Sequence, residues 1–169
     1  MKFGPVAVRE AAGCVLAHSV KLPGGALKKG AVLGNAEMQR LIEAGIHDVV
    51  VARLESDDVA EDDAAMQVAR ALGGADADIG NAGTGRVNLY ARHAGLLMLD
   101  AARVHAANAV NEGLTVATLH SESPVAVGQM LATVKIIPYA VPRAALTQVL
   151  ASLRGDAAPE TGRRALRVA

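Results

Sequence analysis

The chain has 169 residues, of which 51% are hydrophobic but only 2% aromatic, and it contains no Trp. Seventeen Lys and Arg residues balance seventeen Asp and Glu residues, so the formal net charge is +0 at pH 7. This balance excludes a global field that attracts nucleic acid or anionic lipid. The scarcity of aromatic side chains excludes a stacking platform for single-stranded nucleic acid. We expect a soluble globular protein with an aliphatic core and no nucleic-acid partner.

The cysteine content and the first residues of the chain bear on the compartment. The single thiol, Cys14, cannot form an internal disulfide, and one thiol is typical of a reducing compartment. Residues 1–12 lack the continuous apolar stretch of a secretory signal, because Gly4, Pro5 and Arg9 interrupt them. No apolar run reaches the roughly 20 residues that a membrane-spanning helix needs. We therefore predict a cytoplasmic protein without membrane contact.

The first 74 residues predict alternating strands and helices. One helix begins at Asn35, a favoured N-cap residue, and ends at Gly45. A second helix runs from Asp58 to about Leu72, because Asp58-x-x-Glu61 resembles a capping box and Gly73-Gly74 ends the pattern. The predicted strands of this half are Val6–Val8, Cys14–Val20, Ala31–Leu33 and Asp48–Leu54.

The second half follows a stretch rich in Gly, Asp and Asn, Ala75–Gly85, which has no periodicity and is the predicted boundary. Beyond it, Arg86–Ala91 alternates polar and apolar residues, the pattern of a half-buried strand. Val125–Val127 and Met130–Ile137 are predicted to form a hairpin around Gly128. The other predicted elements are strands Gly95–Leu99 and Leu114–Leu119, a helix from Asp100 to Val110, and an amphipathic helix Arg143–Arg154.

These elements predict a mixed α/β protein made of two small sub-structures with mixed strands and three to four amphipathic helices. Residues 1–74 form the N-terminal half, and residues 84–155 form the C-terminal half. Residues 156–169 are predicted to hold a polar linker, Asp156–Arg164, and then the opening strand of a downstream domain. A natural chain end is the alternative for this last segment.

The residues that carry chemistry form no catalytic or metal-binding motif. The five His residues stand singly, and neither His-x-x-x-His nor Cys-x-x-Cys spacing occurs. The acidic run from Glu55 to Asp63 lacks the alternating pattern of a calcium loop, and the dipole of the following helix is a sufficient reason for its charge. Cys14 lies in an apolar pattern and is predicted to be a small core residue. We predict no metal site and no catalytic residue in this segment.

Two glycine-rich loops have the composition of a phosphate-binding loop. In Leu22–Gly30, a turn with solvated lysines is the favoured interpretation. In Gly80–Asn88, glycine exposes backbone N–H groups, and Thr84, Gly85, Arg86 and Asn88 supply further donors. Lys135, a lone charge in an apolar strand, is expected near them. We predict that these five residues contact a phosphate- or pterin-bearing molecule; the alternative is a hairpin or interdomain loop without a ligand.

Several stretches resemble the N-terminal region of bacterial molybdopterin-binding proteins, which are linked to molybdenum cofactor biosynthesis. The resemblance runs along nearly the whole chain, and its most specific stretches are Val8-x-Glu10-Ala-x-Gly-x-Val-Leu-Ala-His-Ser-Val20, Leu22-Pro-Gly-Gly-x-Leu-Lys-Lys-Gly30, Thr84-Gly-Arg-Val-Asn-Leu-Tyr-Ala91 and Gly128-Gln-Met-x-Ala-Thr-Val-Lys-Ile-Ile-Pro138. In that family the pterin-binding domain follows this region, and Leu166-Arg-Val-Ala169 resembles its first strand. Some relatives also carry a nucleotidyltransferase domain, whose glycine-rich loop has no counterpart here.

The resemblance implies a non-catalytic module that assists the biosynthesis or handling of the molybdenum cofactor. Molybdopterin or the finished cofactor is then the ligand, with its main site in a domain beyond this segment. Two alternatives remain open. The chain is part of a nucleotidyl- or molybdenum-transferring enzyme that another domain completes, or it is a dimerisation or scaffold module that forms a homo-oligomer.

Overall fold

The computed structural model describes residues 1–155 and 165–169, and the linker predicted at Asp156–Arg164 lies outside them. The predicted mixed α/β class is confirmed. The helices are α1 Asn35–Glu43, α2 Glu61–Gly73, α3 Ala101–Val110 and α4 Arg143–Arg154, with short 3-10 turns at Val8–Glu10 and Gly74–Asp76. The strands are β1 Lys2–Ala7, β2 Val15–Leu16, β3 Asp48–Arg53, β4 Asp58–Ala60, β5 Ala77–Ile79, β6 Arg86–Ala91, β7 Gly95–Leu99, β8 Leu114–Thr118, β9 Pro124–Val125, β10 Met130–Ile136, β11 Ala140–Pro142 and β12 Leu166–Val168.

The chain divides into two compact units, Met1–Asp58 and Val59–Ala169. The division therefore falls before the Ala75–Gly85 stretch that the sequence indicates. The physical reason is helix α2, whose apolar side packs against β6, β10 and α4 of the second unit. Val68 and Leu72 of this helix are completely buried in the second core, so the helix cannot belong to the first unit.

The first unit is built on a three-stranded sheet with the order β1-β3-β2, in which both pairings are antiparallel. Its central strand β3 carries the predicted β-branched run, and Val49 and Val51 point into the core. Cys14 is buried in the same core, as predicted. The strand predicted at Cys14–Val20 is shorter than expected: only Val15–Leu16 pair with β3, and Val20 instead bridges Leu27.

The N-cap of helix α1 lies one residue earlier than the sequence indicates. Gly34, not Asn35, is the N-cap, and the Glu37 carboxylate accepts a hydrogen bond from the Gly34 N–H at 3.0 Å. The Glu37 side chain, at the third helical position, therefore supplies the hydrogen-bond acceptor for the N–H of the N-cap residue. Gly45 follows the helix with φ +74°, in the left-handed conformation predicted for it.

The N-terminal ammonium group of Met1 lies between two carboxylates of the first unit. It is 2.7 Å from Asp58 Oδ2 and 3.0 Å from Glu55 Oε2. Hydrogen bonds to Asp58 and Glu55 raise the pKa of the ammonium group, and its hydrogen bond and charge lower the pKa of Glu55. Burial raises the pKa of Asp58, but the Glu55 N–H and the ammonium group outweigh it, so this pKa is lowered.

The predicted helix start at Asp58 is wrong, because Asp58 belongs to this ion cluster. The Asp58 carboxylate accepts the Glu55 N–H at 2.8 Å and does not cap a helix, and the residue belongs to strand β4. Helix α2 begins only at Glu61, after Ala60, which makes no side-chain cap. The Glu61 N–H instead donates to the Tyr139 carbonyl at 3.0 Å. A long-range backbone contact thus replaces the predicted local cap.

The second unit contains a four-stranded antiparallel sheet with the order β5-β6-β10-β8, and α2 packs on β6 and β10. Strand β10 is central, and Val134 and Ile136 are almost completely buried. The predicted strand Arg86–Ala91 and the predicted helix after Asp100 are confirmed. Asp100 caps α3, because its carboxylate accepts the Arg103 N–H at 3.2 Å.

The predicted hairpin around Gly128 is wrong. Strand β9 pairs with β7, whereas β10 lies between β6 and β8. Gly128 has φ +75° and turns the chain, and its N–H donates to the Ala91 carbonyl at 2.8 Å. The two strands beside this turn therefore enter different sheets.

The strand at Leu166–Val168 belongs to the second unit, not to a separate domain as the sequence indicates. It pairs antiparallel with β7 in a sheet of order β12-β7-β9. Leu166 is completely buried in the second core, and Val168 is 6% exposed. Among the described residues, no helix is both long and apolar enough to cross a membrane.

Candidate functional site

One face of the four-stranded sheet in the second unit is polar. Successive residues of a strand point to opposite faces, so the apolar residues Val87 and Leu89 of β6 face the core, while the residues between them face the other way. The register of the ladders places the neighbouring residues of β5, β10 and β8 on that same side. We call this surface the polar sheet face; its polar members are Asp78, Arg86, Asn88, Tyr90, Thr115, Thr133 and Lys135, and the same ladders place Met130 opposite Tyr90 and Ala117 opposite Thr133.

Two cations lie directly opposite each other on the polar sheet face. Arg86 of β6 pairs in register with Lys135 of β10, and both side chains are exposed. The preceding pair, Gly85 and Ile136, is hydrogen-bonded, with the Ile136 N–H donating to the Gly85 carbonyl at 2.7 Å. Because hydrogen-bonded and non-hydrogen-bonded pairs alternate, Arg86 and Lys135 form a non-hydrogen-bonded pair, in which side chains are closest.

Like charges opposite each other in a sheet are unfavourable. Within residues 1–155 and 165–169, neither the Arg86 guanidinium nor the Lys135 ammonium makes a hydrogen bond or ion pair. Their repulsion is therefore not offset by a carboxylate of this part of the chain. A bound anion removes that repulsion and gains charge-assisted hydrogen bonds from both groups.

Asn88 lies beside the cation pair and is held by two neighbours. The Thr133 hydroxyl, opposite it in the ladder, donates to Asn88 Oδ1 at 2.8 Å. Asn88 Nδ2 in turn donates to the Tyr90 hydroxyl oxygen at 3.2 Å. All three side chains are partly buried, so this chain of hydrogen bonds fixes the amide orientation on the sheet face.

The turn before β6 holds the other two predicted site residues. Gly83 and Arg86 exchange backbone hydrogen bonds at 3.1 and 3.2 Å, and the central residues Thr84 and Gly85 have φ +50° and +72°. Positive φ at both central positions is the requirement of a type I′ hairpin turn. The Gly80–Asn88 stretch is thus a hairpin, which is the alternative that the sequence analysis left open.

The glycine N–H groups of this turn already have partners. The Gly83 N–H donates to the Arg86 carbonyl, and the Gly85 N–H donates to Asp62 Oδ1 at 2.7 Å. Gly85 is buried, and Thr84 is exposed at the tip of the hairpin. The structure therefore brings together Arg86, Asn88 and Lys135 of the predicted site but does not leave the glycine N–H groups available to an anion.

Two members of this surface, Tyr90 and Thr133, are not among the site residues predicted from the sequence. Tyr90 continues the two-residue spacing of Arg86 and Asn88, so the alternation of a strand was sufficient to include it. Thr133 stands two residues before Lys135. The same alternation therefore places it on the face that carries Lys135. Their contact with Asn88 depends on the β6–β10 register, which no local pattern shows.

The remaining clusters of polar residues have structural roles. The Leu22–Gly30 loop folds on itself: the Lys29 N–H donates to Ser19 Oγ at 2.9 Å, and the Arg40 guanidinium donates to the Gly25 carbonyl at 3.0 Å. This geometry favours the interpretation of the loop as a turn. Within the described residues, no three His, Cys, Asp or Glu side chains are placed to hold a metal ion.

Comparison with known sequences gives one match, at residues 5–53, to a family described as a domain of unknown function, DUF8806. The matched stretch covers less than a third of the chain and lies within the first unit. Neither the curated proteins nor the solved structures contain a match to this chain. The polar sheet face thus lies outside the matched stretch.

Proposed function

We propose that the second unit is a non-catalytic binding module for a phosphate-bearing small molecule, with the polar sheet face as its contact surface. The observation that carries the proposal is the cross-strand pair of exposed cations, Arg86 and Lys135, which have no anionic partner within the described residues. A guanidinium offers two parallel N–H donors, and an ammonium group adds a point charge, so together they suit the oxygens of one phosphate group.

The proposed ligand belongs to the molybdopterin class, and the proposed role is cofactor handling in the cytoplasm. Two of the stretches that resemble molybdopterin-binding proteins, Thr84–Ala91 and Gly128–Pro138, include β6 and β10. These are the two strands that carry the cation pair and Asn88. Molybdopterin carries a phosphate group, which matches the charge of this surface. A cytoplasmic location is in keeping with Cys14, the single thiol, which is buried in the first core.

Isothermal titration calorimetry at low ionic strength tests the anion site, first with inorganic phosphate and then with molybdopterin under anaerobic conditions. We expect Arg86→Ala and Lys135→Ala each to weaken phosphate binding by about 10-fold, because each removes a charge-assisted contact of about 1–3 kcal/mol. Arg143→Ala is the matched control: it removes an exposed cation of the same unit from the start of α4, outside the polar sheet face.

Each outcome separates one part of the proposal from another. Equal phosphate affinity in the wild type, Arg86→Ala and Arg143→Ala proteins contradicts the anion site. Phosphate binding that requires Arg86, together with molybdopterin binding no tighter than phosphate, contradicts the cofactor part alone. A stable dimer that binds neither ligand supports the scaffold function in its place.

A further inference from the structure

We infer that the polar sheet face is a two-ended site that recognises a phosphate monoester whose other end is planar and carries hydrogen-bond acceptors. The inference rests on the proposed function, because it assumes that Arg86 and Lys135 hold the phosphate group. It adds the orientation of the ligand along β6 and the residues that select its second end: Tyr90, Asn88 and Thr133.

The charges on this face are distributed unequally along β6. At one end, Arg86 and Lys135 present two positive charges side by side. At the other end, Asp78 stands opposite Tyr90 in the ladder, and its Oδ1 is 2.8–2.9 Å from two nitrogens of the Arg92 guanidinium. The Arg92 charge therefore offsets that of Asp78, so the Tyr90 end carries no excess positive charge. An anionic group is favoured at one end of the face only, which sets the direction in which a ligand lies.

The hydrogen-bond chain on this face leaves donors for a ligand. The Thr133 hydroxyl donates a hydrogen bond to Asn88 Oδ1, and one N–H of Asn88 Nδ2 donates to the Tyr90 oxygen. The second N–H of Asn88 and the O–H of Tyr90 have no partner in this chain of bonds. A carbonyl oxygen or ring nitrogen of a ligand accepts from them, and the two free donors lie on one strand, two residues apart. The middle of the face thus favours a ligand that presents acceptors to both.

Tyr90 supplies a flat apolar surface beside these donors. Its hydroxyl reaches back to Asn88, two residues earlier on the same face, so the ring lies along the strand. Gly80, which follows β5, has no side chain, and a Cβ there would stand 3.5 Å from Tyr90 Cε2, in contact with the ring. The cation pair begins about 7 Å from position 88, the span of two strand residues. A planar group joined to phosphate by a short link can therefore contact the Tyr90 ring while its phosphate group contacts the cation pair.

Thr133 is a positioning residue in this arrangement. It holds the Asn88 amide with Oδ1 inward, which directs the N–H groups of that amide toward Tyr90 and the ligand. Thr133→Val keeps the shape but removes the donor, so the amide loses its fixed orientation. Thr133→Ser keeps the hydroxyl and is the matched control.

Calorimetry with three probes tests the inference: inorganic phosphate, glycerol 3-phosphate and 4-nitrophenyl phosphate. For the wild-type chain we expect 4-nitrophenyl phosphate, which is planar and carries acceptors, to bind about 10-fold more tightly than glycerol 3-phosphate. Tyr90→Leu is expected to remove this preference, with a larger loss of affinity for the aryl ester than for inorganic phosphate. Thr133→Val is expected to reduce the preference severalfold, and Thr133→Ser to retain it. In NMR spectra, the Asn88 side-chain amide signals are expected to shift with the aryl probe only.

The three probes distinguish failure of the inference from failure of the proposed function. Equal affinity for the alkyl and aryl esters, with phosphate still bound through Arg86, overturns the two-ended site and leaves the anion site standing. An equal loss of inorganic phosphate and aryl ester binding in Tyr90→Leu also overturns it, since the ring then supports the fold and not the ligand. A wild-type chain that binds none of the three probes overturns the proposed function and the inference together.

Discussion

The substitution Gly85→Ala tests the hairpin that places Arg86 on the polar sheet face. Gly85 has φ +72°, and a Cβ at this position would overlap the Ile136 carbonyl oxygen and lie 2.9 Å from Glu61 Oε2. A glutamate side chain can rotate away, but the Ile136 carbonyl belongs to the central strand β10. The backbone of Gly85 is also held on both sides, by Asp62 and by the Ile136 N–H.

The cost of this substitution has two parts. The left-handed conformation costs an alanine about 1–2 kcal/mol relative to glycine. Removing the overlap with the Ile136 carbonyl requires a shift that breaks at least one of the two hydrogen bonds of Gly85, at about 1–2 kcal/mol. We therefore expect a loss of about 2–4 kcal/mol, a large fraction of the 5–15 kcal/mol that is typical of a whole domain.

Urea unfolding followed by circular dichroism measures this loss, and Gly83→Ala is the matched control in the same turn. A Cβ at Gly83 meets no atom within 4 Å, and its φ is not positive, so we expect a change below about 0.5 kcal/mol. A Gly85→Ala protein as stable as the wild type refutes the reasoning. So does a Gly83→Ala protein that loses as much stability as Gly85→Ala.

Three further predictions concern stability. Thr84→Asn is expected to raise the unfolding free energy by about 1 kcal/mol in urea titrations, since φ +50° strains a β-branched residue but suits Asn; no gain contradicts the strain. Asn108→Ala is expected to cost about 1–3 kcal/mol by the same measurement, because the Asn108 amide satisfies both the N–H and the carbonyl of Val116 on β8, at 2.8 and 2.9 Å. The N-terminal ion cluster is expected to give the first unit a stability plateau between about pH 5 and 8. The ammonium contribution is complete below its ordinary pKa of 8.0 and is lost as the pH rises through its raised pKa. The Glu55 and Asp58 contributions are complete above their ordinary values of 4.5 and 3.8 and are lost as the pH falls through their lowered pKa values, so N-terminal acetylation should flatten the alkaline limb.

The structure confirms the sequence predictions that rest on local signals. Asp100 caps α3 as predicted, and the apolar stripe of Arg143–Arg154 forms α4 with Gly155 after it at φ +64°. The alternation of Arg86–Ala91 likewise gives β6, with its apolar residues in the core. Each of these signals involves residues within one or two turns of a helix, or along one strand, so the neighbours that decide the structure are present in the sequence window itself.

Predictions that needed a partner distant in the chain were less accurate. Asp58 resembles the first residue of a capping box, yet its carboxylate binds the ammonium group of Met1, which lies at the other end of the first unit in sequence. The strands on both sides of Gly128 resemble a hairpin, yet β9 pairs with β7 and β10 pairs with β6 and β8. In both cases a local pattern competes with a long-range contact, and the sequence does not show that contact.

The sequence by itself determined which residues of β6 share a face, because the two-residue period of a strand is a local property. It also marked Arg86, Asn88 and Lys135 as polar side chains in otherwise apolar surroundings. Only the tertiary structure decided that Lys135 stands opposite Arg86 and Thr133 opposite Asn88, since the register of two strands more than 40 residues apart depends on core packing around Val87 and Val134. The same packing places Asp62 where its carboxylate accepts the Gly85 N–H. This N–H group is therefore not available to an anion, whereas the cationic side chains of the sheet face are.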